Sequence, residues 1–282
     1  MNKIFLLAFC CAVAWTKPIV SASIAPIGNF VEIISQNTVE INIVASSNPH
    51  SYEPRPEQIA KLSKSELFFA VGVEFEKVWL PKFEKQFKNL IIIDTAKNIQ
   101  KIHLNHDDDD DDDHHENHDH SGLDPHIWLD PVLVKTMAEN IALALSDKFP
   151  QNAEIYATNL NKFKQQIDEI DKMAKDSLSN LKSRDFIVYH PSWGYFAKRY
   201  NLNQIAVEID GKEPKPADLA NLIKKAKEHN AKIIFVSPHF SQKSARLIAQ
   251  QSGAVVAAID ELPKNWRENM EQIINSISKA LK

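Results

Sequence analysis

The chain has 282 residues, 44% of them hydrophobic and 25% charged, with a net charge of −4 at neutral pH; this is ordinary globular composition, enough for one large or two medium domains. Nine acidic side chains lie between Asp107 and Asp119 with no lysine or arginine among them, which leaves 28 acidic against 33 basic residues elsewhere. The basic residues are spread along helical patterns and not clustered, which excludes a nucleic-acid footprint. Both cysteines, Cys10 and Cys11, sit near the N-terminus. The body therefore has no disulfide and no thiolate, and a transition-metal site in it must use histidine and carboxylate.

The N-terminus has the order of a secretory signal peptide: Lys3, an apolar run from Ile4 to Trp15, then small residues at Ser21, Ala22 and Ser23. That order predicts a leader over residues 1–23 with cleavage near Ala22 or Ser23. The run is too short to span a bilayer. Phe9 precedes Cys10 where a lipidation signal needs a small residue, which argues against a lipid anchor.

Short β-rich runs then alternate with amphipathic helical patterns. Val39–Ala45 reads as a strand, Pro56–Ser65 as a helix opened by proline, and Glu66–Gly72 as a strand. A helical pattern broken at Pro81 follows, then a strand over Leu90–Thr95. Beyond a loop from about residue 100 to 125, Pro131–Phe149 has the apolar spacing of a helix, ended by Pro150. Residues 151–183 form a second helical pattern without glycine or proline. At 1.5 Å per residue it is roughly 45 Å long, which suits a connector between two lobes better than a surface helix. A second alternating block follows directly: strands at Asp185–His190, Asn203–Glu208, Lys232–Ser237 and Ala254–Asp260, each trailed by a helical pattern. This rhythm predicts two α/β lobes with parallel sheets, hinged on one long helix, divided as 24–150, 151–183 and 184–282.

Glycine narrows the chemistry by exclusion. The six glycines are at positions 28, 72, 122, 194, 211 and 253, too sparse for a dinucleotide fingerprint or a phosphate loop. There is also no His-Glu-x-x-His helix and no Gly-x-Ser-x-Gly elbow. Ligands of open parallel sheets bind beyond the carboxyl ends of the strands. The polar residues there are His50, His190, His239, Glu208 and Asp260, with His126 between the acidic loop and the next helix. Three histidines and a carboxylate from the two lobes can meet in one cleft.

The segments PHSYEPRPEQIAKL around His50, DPHIWLDP around His126, VYHPSWGYFAKRY around His190 and AIDEL around Asp260 resemble the periplasmic zinc/manganese receptors of bacterial ABC importers, the zinc-type members in particular. GKEPKPADL and the His/Asp-rich loop ahead of DPH fit the same group, and the resemblance spans the chain after the leader. It implies an α/β fold of two Rossmann-like lobes, each a mainly parallel four-stranded sheet with flanking helices, joined by one long rigid helix. It implies a monomeric, periplasmic receptor, not an enzyme, that captures Zn²⁺ as cargo and hands it to a membrane permease. Carried over by position, His50 and His126 are the ligands of the first lobe, and His190 and Asp260 those of the second.

Neutral imidazole suits zinc, whereas manganese prefers more oxygen ligands, and manganese-type relatives tend to carry glutamate at the place of His190. Three histidines and one aspartate make a closed tetrahedral set with no water position for hydrolysis. Some relatives use water, or a glutamate beside the first histidine, as fourth ligand; Pro49 stands at that place here, which favours Asp260. A receptor for manganese or another divalent ion, a metal-linked adhesin and a zinc hydrolase are the competing readings.

Around these residues, Tyr52, Glu53 and Arg55 are candidates to brace the His50 loop, and Asp124, Asp130 or Glu208 to accept a ligand imidazole's second N–H. Trp128, Trp193 and Phe196 read as packing, and His229 as a surface partner of a helix end. Seven adjacent aspartates repel one another, so residues 103–121 read as a solvated loop. Its His106, His114, His115, His118 and His120 are expected to hold metal weakly beside the tight site.

Overall fold

Two four-stranded sheets, each wholly parallel, organise the molecule. The computed structural model describes residues 17–45, 48, 49, 52–103, 122–206, 215–229, 231–238 and 241–282.

The first lobe holds β1 (Ile19–Ile24), α1 (Ala25–Ser35), β2 (Glu40–Ala45), α2 (Pro56–Leu62), β3 (Ser65–Ala70), α3 (Glu74–Gln86) and β4 (Ile91–Asp94), with strand order β2-β1-β3-β4. α4 (Pro131–Lys148) follows. The second lobe holds β5 (Asp185–Val188), α6 (Gly194–Arg199), β6 (Asn203–Ala206), α7 (Pro216–Glu228), β7 (Ile233–Val236), α8 (Gln242–Ser252) and β8 (Val255–Ala258), in order β6-β5-β7-β8. Each sheet reverses its strand order at one point, between β1 and β3 and between β5 and β7, where a ligand crevice opens in such folds.

The residues at which the leader was expected to end lie in β1. Ser21, Ala22 and Ser23, expected at the end of a leader, are fully buried in the strand between β2 and β3. Ser21 Oγ lies 2.7 Å from Ser65 Oγ and accepts from Asn42 Nδ2 at 3.0 Å. Small side chains here let polar groups pair between strands. Removing residues 19–23 would strip the centre from the first sheet. Residues 1–16 lie outside the described residues.

Helix α3 also differs from expectation, since it runs unbroken through Pro81. Proline frees the carbonyl of Lys77, and both residues face solvent, where water satisfies that group.

The long connector is α5 (Ala153–Ser177), 25 residues after a short 3₁₀ turn, or roughly 37 Å. It ends before residue 183 because the chain bends into β5, with Arg184 donating to the carbonyls of Leu178 and Ser179. It packs on α1 and α4 of the first lobe and on α9 (Trp266–Leu281). α9 returns from the second lobe to the first: Trp266, fully buried, stands edge-on to Phe30 at 5.7 Å and to Phe163 at 6.1 Å. One apolar core therefore runs through the first lobe and the connecting helices and on into the second lobe, where it takes in Phe186, Trp193, Phe196 and Phe235. A smaller separate cluster including Ile187, Ile205, Leu222, Ile234 and Ile248 lies within the second lobe.

Candidate metal centre

His126 and His190 meet between the lobes. The segment from Asp124 to Asp130 leads from the acidic loop into α4 and forms a short 3₁₀ turn at Ile127–Leu129. Asp130 ends that turn and caps α4, accepting from the N–H groups of Val132 at 2.8 Å and Leu133 at 3.3 Å. His190 lies two residues beyond β5, beside the switch point of the second sheet, and its carbonyl accepts from Ser192 N–H at 2.8 Å.

The two Nε2 atoms are 3.3 Å apart, with ring planes at 75°. Two imidazole nitrogens on one tetrahedral zinc, each at about 2.05 Å, also stand about 3.3 Å apart. The pair already has the edge length of a zinc tetrahedron.

Behind His126, its Nδ1 is 2.7 Å from Asp124 Oδ1, and the same oxygen accepts from the His126 backbone N–H at 2.9 Å. Asp124 and His126 are 1% and 3% exposed, so this pairing is shielded from water. A carboxylate on Nδ1–H fixes the tautomer that puts the lone pair on Nε2, the nitrogen that would bind a metal.

The remaining expected residues divide plainly. Asp260 follows β8, but its Oδ1 accepts from Leu262 N–H at 2.9 Å. Among the described residues no set of three His, Cys, Asp or Glu side chains is placed to hold a metal ion. His50, Glu208, His239 and loop histidines 106, 114, 115, 118 and 120 lie outside the described residues. Pro49, the residue before His50, accepts at its carbonyl from Phe75 N–H at 3.1 Å, at the start of α3. Tyr52, expected to brace the His50 loop, donates to Gln58 Oε1 at 2.8 Å and stands edge-on to Phe75.

Of the candidate supports, Asp124 alone among the described ones touches a candidate ligand imidazole; Asp130 instead takes Arg199. Burial pushes the Asp130 carboxyl above its usual range, and the Arg199 hydrogen bond and charge offset part of that. His229 sits at the end of α7, 3.6 Å from Asp185, as a surface partner. Trp128, Trp193 and Phe196 are buried packing residues.

Three contributors were missed in the sequence. Glu261, beside Asp260, is held above the usual carboxylate range by burial, partly offset by the nearby His190 charge and a Ser237 hydrogen bond. Tyr195 and Arg199 reach across from α6 to the His126 segment. Position just past the AVVAAID strand was a signal for Glu261; the two α6 residues had none, because a helix pattern does not say what its polar face meets. Across the same seam, Trp128 Nε1 donates to the Glu261 carbonyl and Trp266 Nε1 to the Trp128 carbonyl, each at 2.7 Å.

Residues 20–280 match the family described as zinc-uptake complex component A, periplasmic. The high-affinity zinc uptake system protein ZnuA of Bacillus subtilis (strain 168) is 30% identical over 238 residues, covering 83% of this chain and 74% of that protein. The zinc-binding protein AdcA of Streptococcus pyogenes serotype M3 is 29% identical over 253 residues, and the match spans 49% of its length. A crystal structure of ZnuA superposes with a TM-score of 0.82 at 35% identity, covering 94% of this chain and 99% of that one.

Proposed function

The chain belongs to the zinc-uptake component A family, the solute-binding proteins of zinc ABC importers, and from that premise we propose that it captures Zn²⁺ between its lobes on His126 and His190. The observation that carries the proposal is the 3.3 Å spacing of the two Nε2 atoms, with Asp124 behind one of them. His50 and Asp260 complete the set in this reading, Asp260 by turning its carboxylate from the Leu262 amide toward the ion. Four protein ligands close the coordination sphere, which suits carriage and not hydrolysis.

The loaded receptor, a monomer, delivers zinc to a membrane permease. No helix among the described residues is long and apolar enough to cross a membrane. In this reading export uses an N-terminal leader that ends before Ile19, which would keep β1 in the mature chain. Ala12-Val13-Ala14 supplies the small-x-small pattern needed upstream of that point.

Calorimetric zinc titration tests the site. His126→Ala and His190→Ala should each weaken the tight site by about 100-fold or more, since each removes a ligand outright. Wild-type affinity in both variants would overturn it.

A further inference from the structure

We propose that Tyr195 is a positioning residue for zinc binding: from the second lobe, its hydroxyl holds the first lobe's Asp124–His126 pair in ligand geometry. The inference rests on the reading of His126 as a ligand.

The Tyr195 hydroxyl donates to the Asp124 carbonyl at 2.8 Å and accepts from the Ile102 N–H at 3.1 Å. Asp124 N–H in turn donates to the Ile102 carbonyl at 2.8 Å, one residue from the His103–Leu123 bridge that joins the two chain segments. One hydroxyl therefore fastens both backbone segments whose junction presents Asp124. The Asp124 carboxylate then grips His126 through two hydrogen bonds. The path from Tyr195 to the imidazole passes through one residue.

Approach is as close as packing allows. A Cβ placed on Gly194 would come within 3.1 Å of Asp124 Oδ2, so glycine there lets the start of α6 rest on the carboxylate. α6 begins four residues after His190. A single short stretch of the second lobe thus carries one candidate ligand and positions the other, which ties the Nε2–Nε2 spacing to the seating of α6. Tyr195 is 4% exposed, and its hydroxyl pKa is pushed up to about 12, first by burial. The group stays protonated and remains a donor through the physiological range.

A role in holding the fold alone would also place a buried hydroxyl between two backbone groups. Zinc affinity separates the two roles. Tyr195→Phe should raise the zinc Kd by about 10-fold or more, the effect of losing a group that orients a ligand. Tyr200→Phe, which removes another part-buried hydroxyl bonded to Asp171 at 3.1 Å, should leave the Kd unchanged. Because Tyr195 acts through Asp124, Tyr195→Phe should add little on an Asp124→Ala background, which removes the oxygen that holds His126. Gly194→Ala, which keeps the hydroxyl, should weaken zinc binding in the same direction and serves if Tyr195→Phe does not fold.

A Kd within twofold of wild type in both Tyr195→Phe and Gly194→Ala overturns the proposal, as does full additivity with Asp124→Ala. If His126→Ala also leaves the Kd unchanged, the site reading itself falls; if only His126→Ala weakens binding, the positioning role alone falls.

Discussion

Arg199 grips Asp130 across the lobes, its Nε lying 2.7 Å from both carboxylate oxygens. Asp130 is 2% exposed and also caps α4, so one carboxylate serves a helix start and an interlobe tether. Arg199→Leu leaves that charge buried with only the helix amides. The expected loss is about 2 kcal/mol of stability, the scale of a hydrogen bond to a charged group, read as a lower denaturant midpoint with unchanged slope. An unchanged midpoint would show that the tether is idle. Arg199→Lys should recover only part of the loss, because an ammonium lacks the planar geometry of the guanidinium.

Glu76 gives the first lobe a pH signature. Its carboxylate accepts from Val71 N–H at 3.0 Å and Gly72 N–H at 2.8 Å, closing the turn between β3 and α3, where Gly72 has φ of 95°. Burial raises its pKa from 4.5 to about 7 despite those bonds and the nearby Lys101. Because the folded-state pKa is raised, the folded chain binds this proton more tightly than the unfolded chain does. The contribution is fully present below pH 4.5 and is lost as pH rises through 7. Between pH 5 and 7 the wild type should lose about 1–3 kcal/mol relative to Glu76→Gln, with a slope no steeper than about 1.4 kcal/mol per pH unit. Parallel stability curves for the two proteins would contradict this assignment.

Zinc affinity should fall steeply in acid. Imidazole nitrogens must be unprotonated to bind metal, so below about pH 6 the affinity should drop by at least tenfold per pH unit. Competition with a chelator at pH 5 and pH 7.5 measures this. Equal affinity at both would exclude a histidine site.

The mature N-terminus should lie between Trp15 and Pro18. Intact mass and N-terminal sequencing of exported protein read it directly. A start at Ile24 would mean that the first sheet is built without β1.

Much of the fold is written in local pattern. The apolar runs of the second block, such as Ile233–Val236, fall on the expected strands, and the glycine-free stretch after Pro150 is the connecting helix. β1 was illegible because IVSASI mixes apolar with small polar residues, and its serines pair with Ser65 and Asn42 from strands distant in sequence. In the site, DPHIWLDP announced His126, and the aspartate two residues before it was a natural support. Tyr195 and Arg199 were not legible, since their partners are 71 and 69 residues away and only the docking of the lobes brings them together.

The central claim is that His126 and His190 share one zinc ion. Anomalous diffraction at the zinc edge from crystals of the loaded protein tests it most directly. A shared ion gives one strong peak about 2.0–2.1 Å from both Nε2 atoms; a sole strong peak elsewhere, with the two imidazoles uncoordinated, would rule it out.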